Sequence, residues 1–113
     1  MTEALRTAVS AIVGLLVDGS YDVVEAMTRG RRLSAESLRE VIEGYGRTLA
    51  PIPASSLDHL DIVRIEASEP PAFHVVAALW TEEEGRSDLS LELRLTDLYG
   101  GAYDTEVLDL HVL

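Results

Sequence analysis

The chain contains no cysteine, no lysine, no asparagine and no glutamine. Without cysteine there is no disulfide, no thiolate nucleophile and no cysteine-ligated zinc site. Without lysine, Schiff-base chemistry and a P-loop lysine are excluded. The missing Asn and Gln remove the amides that read adenine in a major groove. Aromatic residues are few (four Tyr, one Phe and one Trp), too small a set for a base-stacking surface. No apolar run approaches the ~20 residues of a membrane span. The nearest, residues 8–17, is broken by Ser10 and Gly14 and followed by Asp18. Glu3 precedes the first arginine, so the cationic start of a signal peptide is also missing. A cytoplasmic protein is the expectation.

What is present is a chain of 113 residues that is 47% hydrophobic, enough for a single domain over 1–113 with one core. All nine basic residues are arginine, as codon bias in a GC-rich genome would give. The net charge of −11 is unevenly spread: residues 1–56 carry six Arg against seven acids, whereas residues 57–113 carry three Arg against thirteen. A phosphate backbone is repelled by such a field and a cationic protein attracted by it.

The hydrophobic period changes once along the chain. Leu5, Ala8, Val9, Ile12 and Leu16 recur at helical spacing, which predicts a helix over 3–17 with Thr2 placed to cap it and Asp18-Gly19 to stop it. Ser20 opens a second predicted helix, 21–29, closed by Gly30. Ser34 opens a third, 35–45, with Leu38, Val41, Ile42 and Tyr45 on one face and Gly46 after its end. Pro51 and Pro53 then forbid a helix. Beyond them, strands are expected at 61–67, 73–80, 89–96 and 104–112. The clearest is the third, where Leu89, Leu91, Leu93 and Leu95 alternate with Ser90, Glu92, Arg94 and Thr96. Residues 82–88 are expected to be the hairpin loop before it, with Gly85 making the bend.

Helices followed by a curved four-stranded antiparallel sheet give an α+β fold in which the sheet buries its apolar face on the first helix. That element order is similar to the cystatin-like and NTF2-like folds. A sharper resemblance lies in residues 79–89 (LWTEEEGRSDL), in the terminal DLHVL of residues 109–113, and in residues 31–36 and 45–49. With these, the chain resembles an uncharacterised family of small bacterial proteins. The resemblance implies a bacterial origin and a single intact domain, and carries over no catalytic residue.

Three constellations carry possible chemistry. His74 shares a strand face with Val76, Ala78 and Trp80, and His111 is read as sharing one with Asp109 and Val107. Should those faces coincide with that of Glu92, then His74, Glu92, Asp109 and His111 cluster in a set that could hold a metal or act as an acid–base pair, against the plainer reading of strand histidines that only hydrogen-bond locally. No HExxH or His-x-His spacing occurs, so no metal and no cofactor are expected. Arg29, Arg31 and Arg32 form the one basic cluster, suited to phosphate or to pairing with acids of the same chain. Trp80, Tyr99 and Tyr103 are candidates to line a pocket at the open end of the sheet. Ser55 and Ser56 have His59 near them in sequence, without the spacing of a known triad.

No nucleophile–base pair, metal motif or phosphate loop stands out, so the chain is expected not to be an enzyme. The favoured reading is an acidic protein-interaction domain, of immunity or antitoxin type, taking a basic partner. Its expected contacts are Trp80, Glu82, Glu83, Glu84, Asp88 and Glu92. The alternative is an NTF2-like small-ligand or enzymatic pocket built on His74, Glu92, Asp109 and His111. Neither nucleic acid nor membrane is an expected partner, and the oligomeric state, a homodimer included, is left open.

Overall fold

In a computed structural model, residues 3–113 are described, and Thr2, the expected cap of the first helix, lies outside them. Helix α1 (Glu3–Val17) buries Leu5, Val9, Ile12, Val13 and Leu16 along one stripe. Helix α2 (Tyr21–Thr28) follows at once. Its N-cap position is Ser20, whose hydroxyl makes no capping bond, and Arg29 in the left-handed region ends it one residue before the expected Gly30. Helix α3 (Ala35–Tyr45) is capped by Ser34, whose Oγ accepts from the Ser37 N–H at 3.1 Å, and ends at Gly46 with φ 75°. Glu25 ties the two helices together by accepting from the Ala35 N–H at 2.6 Å. No helix among the described residues is long and apolar enough to cross a membrane.

The strands are β1 (Leu49–Ala50), β2 (Asp61–Arg64), β3 (Ala72–Thr81), β4 (Gly85–Asp97) and β5 (Tyr103–Val112), with a short helix α4 (Ala54–Leu57) between the first two. All pairings are antiparallel, in the order β1-β3-β4-β5, with β2 also on β3. The sheet therefore has five strands where four were expected. Two short strands share one edge of β3, β1 opposite residues 80–81 and β2 opposite residues 73–76. A two-residue strand and a four-residue helix are too short to leave a period in the sequence. β2 also ends earlier than residue 67, where Ala67 turns to φ 57°.

The β3–β4 hairpin is tighter than its sequence suggested. Its loop is residues 82–84 alone, and Arg86, Ser87 and Asp88 already belong to β4. Gly85 permits this by adopting φ 75°, and a Cβ there would lie 3.5 Å from the Trp80 ring.

Leu89, Leu91, Leu93 and Leu95 all point inward and are fully buried, with Val75, Ala77 and Leu79 from β3 and Val107 and Leu110 from β5. The apolar stripe of α1, with Val24 of α2 and Leu38 and Ile42 of α3, closes over them. Burying a side chain of this size stabilises by about 1.5–3 kcal/mol relative to leaving it exposed. The sheet thus packs on α1 as its pattern required, while α2 and α3 flank β5.

Two register shifts decide what the other face carries. In the first, residues 87–89 of β4 stand opposite Leu79 alone. The Ser87 hydroxyl repairs the ladder, donating to the Leu79 carbonyl at 2.7 Å and accepting from the Leu89 N–H at 3.1 Å. In the second, Glu92 pairs with Asp109 but Leu93 pairs with Val107, so Leu108 is an extra residue in β5.

Candidate functional site

The extra Leu108 reverses the phase of β5. Thr105 and Val107 face the core before it, and Leu110 faces the core after it. Asp109 and His111 are therefore on the opposite face from Val107, not on the same one as a strict alternation gave. This correction is what unites the cluster. On the outer face Glu92 stands between Val76 of β3 and Asp109 of β5, while His74 stands opposite Arg94 and His111 opposite Ser90.

The four side chains converge. His74 Nε2 lies 3.1 Å from Glu92 Oε1. His111 Nδ1 lies 3.0 Å from Asp109 Oδ2 and 3.6 Å from Glu92 Oε2. Asp109 Oδ1 is held separately, accepting from the Leu110 N–H at 2.9 Å. Each carboxylate thus spends one oxygen on the protein and turns the other toward His111. Glu92, Asp109 and His111 each offer one donor atom within 4.8 Å of the others.

A cavity of about 390 Å³ opens on the same face. Val76, Ala78 and Ser90 of the sheet line it with Trp80 and Arg86, and Ile52, Ser56, His59, Leu60, Asp61 and Leu113 complete it. Ser90 and Val76 are sheet neighbours of His111 and Glu92, so cavity and cluster adjoin. Ser56 and His59 are joined by a backbone bond, His59 N–H donating to the Ser56 carbonyl at 3.1 Å, with no side-chain hydrogen bond between them among the described residues.

The acidic hairpin has internal work. Glu83 accepts from the Thr48 N–H and the Thr48 hydroxyl, both at 2.9 Å. These bonds, the backbone one foremost, hold its carboxyl below the usual carboxylate range. Glu84 Oε1 accepts from the Tyr45 hydroxyl at 2.9 Å and the Thr81 hydroxyl at 3.2 Å. Glu83 and Glu84 therefore clasp the hairpin to the end of α3, while Glu82 and Asp88 are exposed and unpaired among the described residues. Glu92 lies away from this hairpin, inside the histidine cluster. Of the arginine cluster, Arg31 is spent on β5, reaching Asp104 at 3.2 Å and the Thr105 carbonyl at 3.1 Å.

The expected aromatic pocket does not form. Trp80 is at one end of β3, whereas Tyr103 packs edge-on against Phe73 at the other, ring centroids 6.5 Å apart. Tyr99 is 60% exposed and its hydroxyl donates to Glu69 at 2.9 Å, a bond that pushes the phenol pKa up.

A family model described as Domain of unknown function (DUF7668) matches residues 13–113, all of the sheet and most of the helical half. The chain belongs to this family. No curated protein and no solved structure matches it. Within this DUF7668 domain, the cluster and the cavity fall inside the matched span. The cavity residues Ile52, His59, Leu60 and Asp61 were not singled out together from the sequence, because they come from the connection that folds back over β3. The PIP segment was the one signal of that connection.

Proposed function

We propose that this DUF7668 domain is a non-catalytic binding module that takes a cationic protein partner on its acidic sheet half. The observation that carries this reading is the surplus of unpaired carboxylate. Of the thirteen acids in residues 57–113, Asp58, Asp104 and Glu106 pair with arginine and Glu92 and Asp109 with histidine. Among the described residues Asp61, Glu66, Glu69, Glu82, Glu83, Glu84, Asp88 and Asp97 have no cation in ion-pair contact. Such a field accelerates capture of a basic protein and does so most at low salt. An immunity- or antitoxin-like role fits a small acidic module of this kind.

Capture from native lysate at low and high salt, followed by titration of the purified partner, tests this. The reading expects binding that weakens with salt, with Glu82→Gln/Asp88→Asn and with Trp80→Ala. A partner indifferent to salt and to these substitutions contradicts it.

A second reading, a small-ligand or enzymatic pocket of the NTF2-like kind, is favoured by the convergence of His74, Glu92, Asp109 and His111 beside the cavity. Trp80 is the only tryptophan and lines that cavity, so its fluorescence reports occupancy directly. A small molecule that shifts Trp80 emission regardless of salt supports this second reading over the first.

A further inference from the structure

We propose that Glu92, Asp109 and His111 form a binding site for a divalent cation of the zinc class, with His74 as the residue that positions Glu92. The site does not rest on the protein-partner reading, and each stands or falls alone. It departs from the expectation of no metal, and the reason is geometric. The ligands come from two strands across a bulge, so no short His spacing announces them.

The donor set is the first argument. Glu92 Oε2, Asp109 Oδ2 and His111 Nδ1 face one another, at 3.6 Å and 3.0 Å from His111 to the two carboxylates. Donors bound at about 2.0–2.1 Å in a tetrahedron sit about 3.3 Å apart, close to the two His111 distances; all three donor atoms lie within 4.8 Å of one another, so the two carboxylates close in on a zinc-sized ion as it binds. Imidazole with two carboxylates is a borderline set, hospitable to zinc or cobalt.

The second argument is independent of that spacing. His111 Nδ1 is sealed from solvent and has no hydrogen-bond partner, the one such side-chain atom among the described residues. The imidazole as a whole is 36% exposed, so the sealed edge is the one turned to the carboxylates. Its 3.0 Å approach to Asp109 lacks hydrogen-bond geometry. A sealed nitrogen in ion-pair distance of two carboxylate oxygens, with a hydrogen bond to neither, is the arrangement that a cation between them would complete.

The third argument is electrostatic. Glu92 and Asp109 are directly opposite in the β4–β5 register, and like charges so placed destabilise a strand pair. Arg94, the nearest arginine on that face, forms no ion pair among the described residues. His74 completes the arrangement: its contact with Glu92 Oε1 at 3.1 Å fixes the carboxylate with Oε2 presented to the site.

Titration of untagged protein with zinc chloride by calorimetry, and with cobalt chloride by visible absorption, tests the proposal. One ion per chain is expected, with cobalt giving d–d bands of imidazole–carboxylate ligation. His111→Ala and Asp109→Asn should each weaken binding by more than about tenfold. Asp109, whose side chain is 54% exposed, keeps the test valid should His111→Ala fail to fold. His74→Ala should weaken binding by about 10–100-fold and alter the cobalt spectrum, and His74→Gln, able to donate to Glu92, should restore both. Glu36→Gln, exposed in the first turn of α3 and away from the sheet, should bind as the parent does. Absence of saturable binding, binding that survives both His111→Ala and Asp109→Asn, or an equal loss in Glu36→Gln overturns the proposal.

Discussion

One sheet presents two faces built on opposite principles. The inner face is a leucine ladder, Leu89 to Leu95, each residue at 0% exposure and packed against helical side chains. The outer face carries His74, Glu92 and His111, half-buried, and the exposed Asp109, linked in a chain from His74 to Glu92 to His111 to Asp109. On the first face, stability follows apolar area removed from water. On the second, carboxylates and imidazoles are held near one another at electrostatic expense, and half-exposed groups of that kind contribute little to folding. The cluster beside the open cavity is where the binding proposed above would take place, whereas the inner face answers only to the fold.

The difference is best broken at its hinge. Deleting Leu108 removes the extra residue of β5, which drives Asp109 and His111 into the core or forces the strand out of register. The expected outcome is loss of cooperative thermal unfolding, the largest effect of any single change. Next comes Leu91→Ala on the inner face, expected to cost about 2–5 kcal/mol by urea denaturation. His111→Ala across the sheet should shift the same midpoint far less, and an equal shift would erase the distinction between the faces. Ser87→Ala strips the Leu79 carbonyl and Leu89 N–H of their shared partner. An intermediate loss of about 1–3 kcal/mol is expected.

The smallest effect is a pH dependence at the hairpin. Thr48 lowers the Glu83 pKa in the folded state, so that contribution is present above the unfolded carboxylate value and lost as pH falls through the folded one. Glu83→Gln should therefore reduce the loss of urea midpoint between about pH 6 and about pH 3, leaving the rest of the acid sensitivity in place. An unchanged midpoint difference would show that the clasp on Thr48 is idle.

The inner face was legible because its pattern has a period and no exceptions: four leucines at alternate positions of one strand give strand, face and core together. The helices were legible from their stripes and caps, Ser34 and Gly46 above all. What escaped was whatever has no period. β1 and α4 are too short, and the Leu108 bulge carries no glycine or proline to mark it. The cluster was half readable for the same reason. His74 and Glu92 follow from simple alternation in β3 and β4, whereas Asp109 and His111 reach their face only through the bulge. The hairpin acids read as a contact surface because charge density does not reveal that Glu83 and Glu84 bond Thr48 and Tyr45.

The central claim is that binding chemistry resides on the outer face while the inner face serves the fold alone. Backbone amide and histidine side-chain NMR spectra, recorded during titration with zinc, test it most directly. The account predicts shifts concentrated at Glu92, Asp109, His111 and His74, with Leu91, Leu93 and the α1 residues Val9 and Ile12 nearly still. No perturbation at the four, or a perturbation centred on the helices, would contradict it.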